Sequence, residues 1–202
     1  MFKKKNNERQ FIPHLKERDF LPWSIKTFLI MADFEKALGK CLRWEGGYTD
    51  KLNDGYECTN MGVTIATYQR MYGKDKTCED LRRMTREQMR HIYKSFYWDR
   101  IWGDSIEDQS IAELMYDWSV GSGVMSAVRY MQRALGFKGD DVDGMMGRKT
   151  LGAINGYPDK RELFGMYWRM RESFFRRICE RDVRKRRFLK GWMNRLKTFV
   201  YQ

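Results

Sequence analysis

Apolar positions recur at helical spacing over most of this chain. Phe34, Leu38, Cys41 and Leu42 share one face from Ala32 onward. Met89, Ile92, Tyr93 and Phe96 form a stripe in TREQMRHIYKSFYWDRI, which Thr85 and Gln88 open as a capping box. Ile111, Leu114, Met115 and Trp118 line up before a break at Gly121-Ser122-Gly123. Later stripes carry Val128, Met131, Gln132 and Leu135 in residues 125–136, and Leu163, Phe164, Tyr167, Met170 and Phe174 in a long helix from 159 to about 182. FLKGWMNRLKTF reads as a final helix. One stretch departs from this rhythm: residues 46–58 are rich in Gly, Asp and Asn, which favour turns, and TNMGVTI after them reads as a short strand or hairpin arm leading into a helix over 64–72. With only three prolines, the chain is expected to be mainly α with one small β-hairpin.

The departure holds the candidate chemistry. Glu45 precedes Gly46-Gly47, whose open backbone ends a helix, and so reads as a last-turn residue. The helix dipole there disfavours an ionised carboxylate by only roughly 0.3–1 kcal/mol. A general acid working near neutral pH therefore also needs burial against apolar surface, which Trp44 and Tyr48 are placed to supply. The plainer alternative is a solvated acid at a helix end. Asp54 in the loop and Thr59 at the base of the hairpin complete a set suited to inverting hydrolysis of a sugar bond, in which one acid protonates the leaving oxygen and a second group activates water on the opposite face.

Glu45, eight residues, Asp54 and then Thr59 resembles the catalytic signature of phage-type lysozymes, with the Asp-to-Thr gap one residue shorter. More of the stretch resembles glycoside hydrolase family 108, the N-acetylmuramidases found as phage endolysins and as secretion activator proteins. The residues that carry the likeness are Glu45 to Tyr48, Asp54, and Thr59-Asn60-Met61-Gly62-Val63-Thr64. Where the family shows an Asp-Pro-Gly-Gly-like loop, this chain has Asp54-Gly55-Tyr56-Glu57, so Asp50 and Glu57 compete with Asp54 as partner acid. DDVDGMMGRKTLGAIN resembles the D-G-x-x-G-x-x-T loop and helix of peptidoglycan-binding domains, and the Phe188, Gly191, Trp192, Arg195 segment resembles the family's end. In that motif Asp143-Gly144 reads as a turn, Gly147 as a point of close backbone approach and Thr150 as an early helical residue. The resemblance implies a lysozyme-like helical fold that cleaves the MurNAc-GlcNAc bond of peptidoglycan glycan strands. Its catalytic residues would be Glu45, Asp54 and Thr59. Tyr48, Asn60, Gly62 and Asp117 would lie along the substrate, although a buried Asp117 near a helix end more often satisfies neighbouring groups. The competing reading is a non-catalytic wall-binding or secretion-assisting protein with an altered loop.

Charge and composition add three constraints. The formal net charge of +12 is concentrated near both ends, above all from Pro158 onward, which suits a polyanionic wall. Nucleic acid would also suit, but the basic end lacks a recognisable reading module. Cys41, Cys58, Cys78 and Cys179 form no C-x-x-C pair and lie far in sequence from His14 and His91, so neither a metal site nor a cofactor is expected, and the cysteines are compatible with either disulfides or reduced thiols. No apolar run approaches the roughly 18–20 residues that cross a bilayer, and residues 1–30 make a poor signal peptide. The organisation expected is an extension over 1–30, a lysozyme-like catalytic region over 31–120 and a peptidoglycan-binding-like region over 121–202 packed on it. Such a protein would be made in the cytoplasm and act at the wall, with a holin or a secretion machinery as the partner that lets it through. No exposed heptad seam points to an oligomer.

Overall fold

The computed structural model describes residues 31–50 and 58–202; the expectations for residues 1–30, Asp54 and Glu57 lie outside the described residues. Helix α1, Phe34–Leu42, starts at Asp33, whose carboxylate accepts from the Glu35 and Lys36 amides, and it buries Phe34, Ala37, Leu38 and Cys41. Strands β1, Thr59–Asn60, and β2, Val63–Thr64, form the expected hairpin, with Thr59 opposite Thr64 and Asn60 opposite Val63. Its two-residue turn has positive φ at both Met61 (46°) and Gly62 (76°), the type I′ pattern whose twist matches that of paired strands. Thr64 then caps α2, Ile65–Tyr72.

A disulfide joins Cys58, just before β1, to Cys78, the first residue of α3, Cys78–Arg82. Asn60 closes the same corner by donating to the Leu81 and Arg82 carbonyls at 2.9 and 3.2 Å. The hairpin is thus stapled covalently and by hydrogen bonds to α3. Cys41 and Cys179 are free and buried.

The capping box of Thr85 and Gln88 opens α4, Arg86–Tyr93, as the sequence indicates. The single long helix expected after it does not persist. Over Lys94–Trp98 the backbone widens into a π-helical turn and then tightens into a 3₁₀ turn over Asp99–Ile101. The change of pitch accompanies the full burial of Trp98, whose ring meets Phe34 and Tyr116 at 5.7 and 5.5 Å and whose indole N–H donates to Asp104 at 2.6 Å. Gly103 permits this, since a Cβ there would sit 2.2 Å from the Trp98 ring.

Helix α5, Gln109–Ser122, is the axis of the molecule. Every residue from Ser110 to Ser119 is buried, including Glu113 and Asp117, so the helix is enclosed on all sides. It packs on α1, on α6, Val124–Ala134, and on α8, Lys160–Arg181. Trp118 on it stacks against Tyr130 of α6 and meets Tyr167 of α8, both at 4.7 Å. Helix α9, Arg186–Lys197, closes over α8. Among the described residues no helix is long and apolar enough to cross a membrane.

The D-G-x-x-G-x-x-T motif folds around a buried glutamine. Gln132 donates to Asp143 at 2.7 Å and to the Met145 carbonyl at 3.2 Å, and it accepts from the Gly144 amide at 2.9 Å. Thr150, buried early in α7, Arg148–Asn155, stands 3.3 Å from the same side chain. Gly144, at φ 80°, is where backbone approaches closely, since a Cβ would meet Met125 and Arg129. Gly147 does not have the close approach expected of it: a Cβ there would meet nothing within 4 Å. Gln132→Ala should therefore lower stability by about 1–3 kcal/mol, because it strands the buried Gly144 N–H; denaturant unfolding of the variant measures it.

Candidate active site

Glu45 lies just beyond α1 rather than in its last turn. The amides of Trp44 and Glu45 reach back three residues to the Cys41 and Leu42 carbonyls at 3.1 and 3.2 Å, tightening the chain into 3₁₀-like turns that end the helix earlier than the spacing predicts. The Glu45 side chain is 19 % exposed. It opens on a cleft of about 400 Å³ lined by Leu42, Arg43, Gly46, Met61, Arg86 and Met89.

Two elements hold the carboxyl, one from nearby in the sequence and one from its far end. Gly62, in the hairpin turn, presses so close that a Cβ would fall 2.6 Å from Glu45 Oε2 and 2.3 Å from the Tyr93 hydroxyl. Tyr93 in turn donates to the Met61 carbonyl at 3.1 Å, fixing the turn. From α9, Arg195 Nη1 donates to Glu45 Oε1 at 2.9 Å. The rest of the guanidinium grips Asp117, with Nε and Nη2 at 2.9 and 2.7 Å from Oδ1, and Nη2 also donates to the Cys41 sulfur at 3.1 Å. The other Asp117 oxygen accepts from Arg171 Nη2 at 2.6 Å. Glu45, Arg195, Asp117 and Arg171 therefore form one line of alternating charges from the cleft to the core.

The environment sets the titration of the inner groups. Burial pushes the Asp117 carboxyl up, but the charges of Arg171 and Arg195 and their hydrogen bonds outweigh it and hold it below the usual carboxylate range. Burial, reinforced by Asp117, pushes the Cys41 thiol up, so it stays a thiol. Burial also raises the Tyr93 phenol, with Glu45 adding to the effect. The sign for stability follows from Asp117: a lowered carboxylate contributes stability that is full above the unfolded value, about 3.9, and is lost as pH falls through the lower folded value.

The other predicted residues take distinct places. Tyr48 is half-buried with the Arg82 guanidinium 4.9 Å over its ring. Thr59 pairs through its backbone with Thr49 at 2.8 and 2.9 Å, closing the base of the loop whose residues include Asp54. Asp50, which follows that bridge, is exposed. Asn60 is buried with its amide spent on α3, and Asp117 is 1 % exposed with both oxygens spent on arginines. Glu45 and Gly62 are brought into contact; Asp117 reaches Glu45 only through Arg195. Arg195, Arg171 and Tyr93 are residues that the sequence patterns do not place at the site. The one signal for Arg195 is its position as the last residue of the F-x-x-G-W-x-x-R segment. Among the described residues no group of three or more His, Cys, Asp and Glu could hold a metal ion.

Comparison with known proteins bears on the same residues. Residues 38–123 match the family model described as glycosyl hydrolase 108, and residues 126–197 match the predicted peptidoglycan domain. With a glycosyl hydrolase 108 region followed by a predicted peptidoglycan region, the chain is a glycoside hydrolase of lysozyme-like type acting on peptidoglycan. Among eleven solved chains that match is the structure of SagA from Brucella abortus, at a TM-score of 0.70 and 27% identity over 82% of this chain and 90% of that one. No curated protein matches. In this chain the region matching glycosyl hydrolase 108 supplies Glu45 and Asp117, whereas the region matching the peptidoglycan domain supplies Arg171 and Arg195.

Arg195→Met should keep the stem packing of the side chain and remove its charge, leaving buried Asp117 with Arg171 alone. Loss of one partner from a buried pair costs roughly 3–5 kcal/mol, and the lower end is expected because Arg171 remains. Acid unfolding should then begin at a higher pH than in the parent, since Asp117 is held down by one cation fewer; circular dichroism across an acid titration reads the shift.

Proposed function

We propose that this chain is an N-acetylmuramidase that cleaves the MurNAc-GlcNAc bond of peptidoglycan with Glu45 as general acid. The observation that carries the reading is the way the Glu45 carboxyl is presented. Arg195 fixes Oε1, Gly62 walls Oε2, and the group as a whole borders an open cleft. Among the described residues no protein group donates to Oε2. That oxygen is the one proposed to deliver the proton to the glycosidic oxygen, while Arg195 sets the plane in which it does so.

The second role belongs to a carboxylate in the loop that begins and ends at the Thr49–Thr59 bridge. Asp54 is proposed as the group that activates water on the far face of the sugar, with Asp50 and Glu57 as its rivals in the same loop and Thr59 at its foot. Tyr48, beside the bridge, is proposed to offer its ring edge to the glycan, and the Met61, Leu42 and Met89 surfaces of the cleft would take the apolar faces of the sugars. Gly62 and Asn60 serve this site by shaping the hairpin, and Asp117 serves it by positioning Arg195. A holin or a secretion machinery would bring the enzyme to the wall.

Glu45→Gln keeps the shape of the side chain and removes the proton it must give, so turnover on purified sacculi should fall at least about 10²-fold while the melting temperature holds. Release of new reducing ends is the readout. Full activity in the variant would end the general-acid assignment, and products without new reducing ends would end the muramidase reading. Among Asp50→Asn, Asp54→Asn and Glu57→Gln, the true partner alone should combine native stability with a large loss of kcat and little change in KM.

A further inference from the structure

Away from Glu45, α6 and α8 lie side by side and leave a groove of about 530 Å³ between them. Its floor is Tyr130, Met166 and Met170, and its rim carries Arg133, Arg169 and Arg177. A second hollow of about 400 Å³, reaching Arg129, shares Tyr130 and Arg133 with the first, so the two are continuous. Helical spacing explains the convergence. Arg129, Tyr130 and Arg133 recur on one face of α6, and Met166, Arg169, Met170 and Arg177 recur on one face of α8.

The groove concentrates positive charge without an internal counter-charge. No Asp or Glu lines either hollow, and Arg133, Arg169 and Arg177 form no salt bridge among the described residues. Its aromatic floor is fixed. Tyr130 stacks on buried Trp118 at 4.7 Å, its hydroxyl accepts from Arg177 at 3.0 Å, and the Arg133 guanidinium lies 5.0 Å over its ring. Like charges gathered in a concavity repel one another, and an anion seated between them relieves that repulsion.

Resting on the reading that peptidoglycan is the substrate, we propose that this groove binds the short carboxylate-bearing peptides attached to the glycan, while the Glu45 cleft takes the glycan itself. The sugar chain of the wall is largely uncharged and offers nothing for convergent guanidiniums to pair with; its peptides carry free carboxylates, which match the planar guanidinium fork. The methionine and tyrosine floor suits alkyl side chains of the same peptide. Single-stranded nucleic acid would call for a longer basic track with successive stacking platforms, and the floor offers one aromatic ring.

The test is a fluorescence titration of the whole chain with a labelled Ala-Glu-Lys-Ala peptide and with the same peptide amidated at both carboxylates. The acidic form should bind at least about tenfold more tightly, with the difference shrinking as salt is added. Arg133→Gln/Arg169→Gln/Arg177→Gln should abolish the preference without lowering the melting temperature, because all three side chains are exposed. If the triple variant melts early, Arg169→Glu alone reads the same preference. Equal binding of the two peptides, a preference that survives the variants, or a polyphosphate or duplex oligonucleotide that displaces the peptide from the parent more effectively than the acidic peptide itself would overturn the proposal. The titration needs no cleavage, so failure of the muramidase reading shows as missing reducing ends and leaves this result separately legible.

Discussion

A buried carboxylate with two arginines on it is the constraint on which the architecture turns. Asp117 sits in the middle of a helix that is enclosed on every side, where an unpaired charge would cost several kcal/mol even after relaxation. Two helices from the far end of the chain must therefore arrive with their guanidiniums in register before α5 can be covered. Arg171 comes from α8 and Arg195 from α9. Arg171 has no acceptor for Nε or Nη1 among the described residues, and it is packed instead among the rings of Trp118, Phe175 and Phe199, with its cation 5.4 to 5.9 Å from their centroids. Arg195 keeps Nη1 in reserve after Asp117 and Cys41, and Glu45 takes it. The position of the candidate acid is thus a by-product of how a core charge is neutralised.

The opposite wall of the site is built by backbone rather than by charge. A turn with two positive φ angles brings Gly62 against the Glu45 carboxyl, and only a residue without Cβ fits between that carboxyl and the Tyr93 hydroxyl. The short hairpin would be marginal alone. The Cys58–Cys78 disulfide and the Asn60 side chain tie it to α3, and the Thr49–Thr59 bridge closes the loop that precedes it. Stiffness on this side and charge on the other leave Glu45 little room to wander.

Much of this was written locally in the chain. Helix faces, the Thr85 capping box and the T-N-x-G turn rest on interactions within a few residues, so their patterns announce them. The early end of α1 and the π-helical turn at Lys94–Trp98 were not legible, because they answer to how Trp98 and Glu45 pack against distant elements. Arg195 was hidden for the same reason: it lies 150 residues from Glu45, in a stretch so rich in basic residues that none of them stands out. The cysteine pairing was open too, since spacing alone does not select Cys58 and Cys78 from four candidates.

The line of charges also crosses the join between the two matched regions. Glu45 and Asp117 belong to the first, Arg171 and Arg195 to the second. Two modules linked like beads could be shuffled, each keeping its own core. These two could not, because exchanging the second for an unrelated domain would leave an acid stranded inside the first. The two regions therefore share one electrostatic core, and a change of charge in either has to be answered in the other.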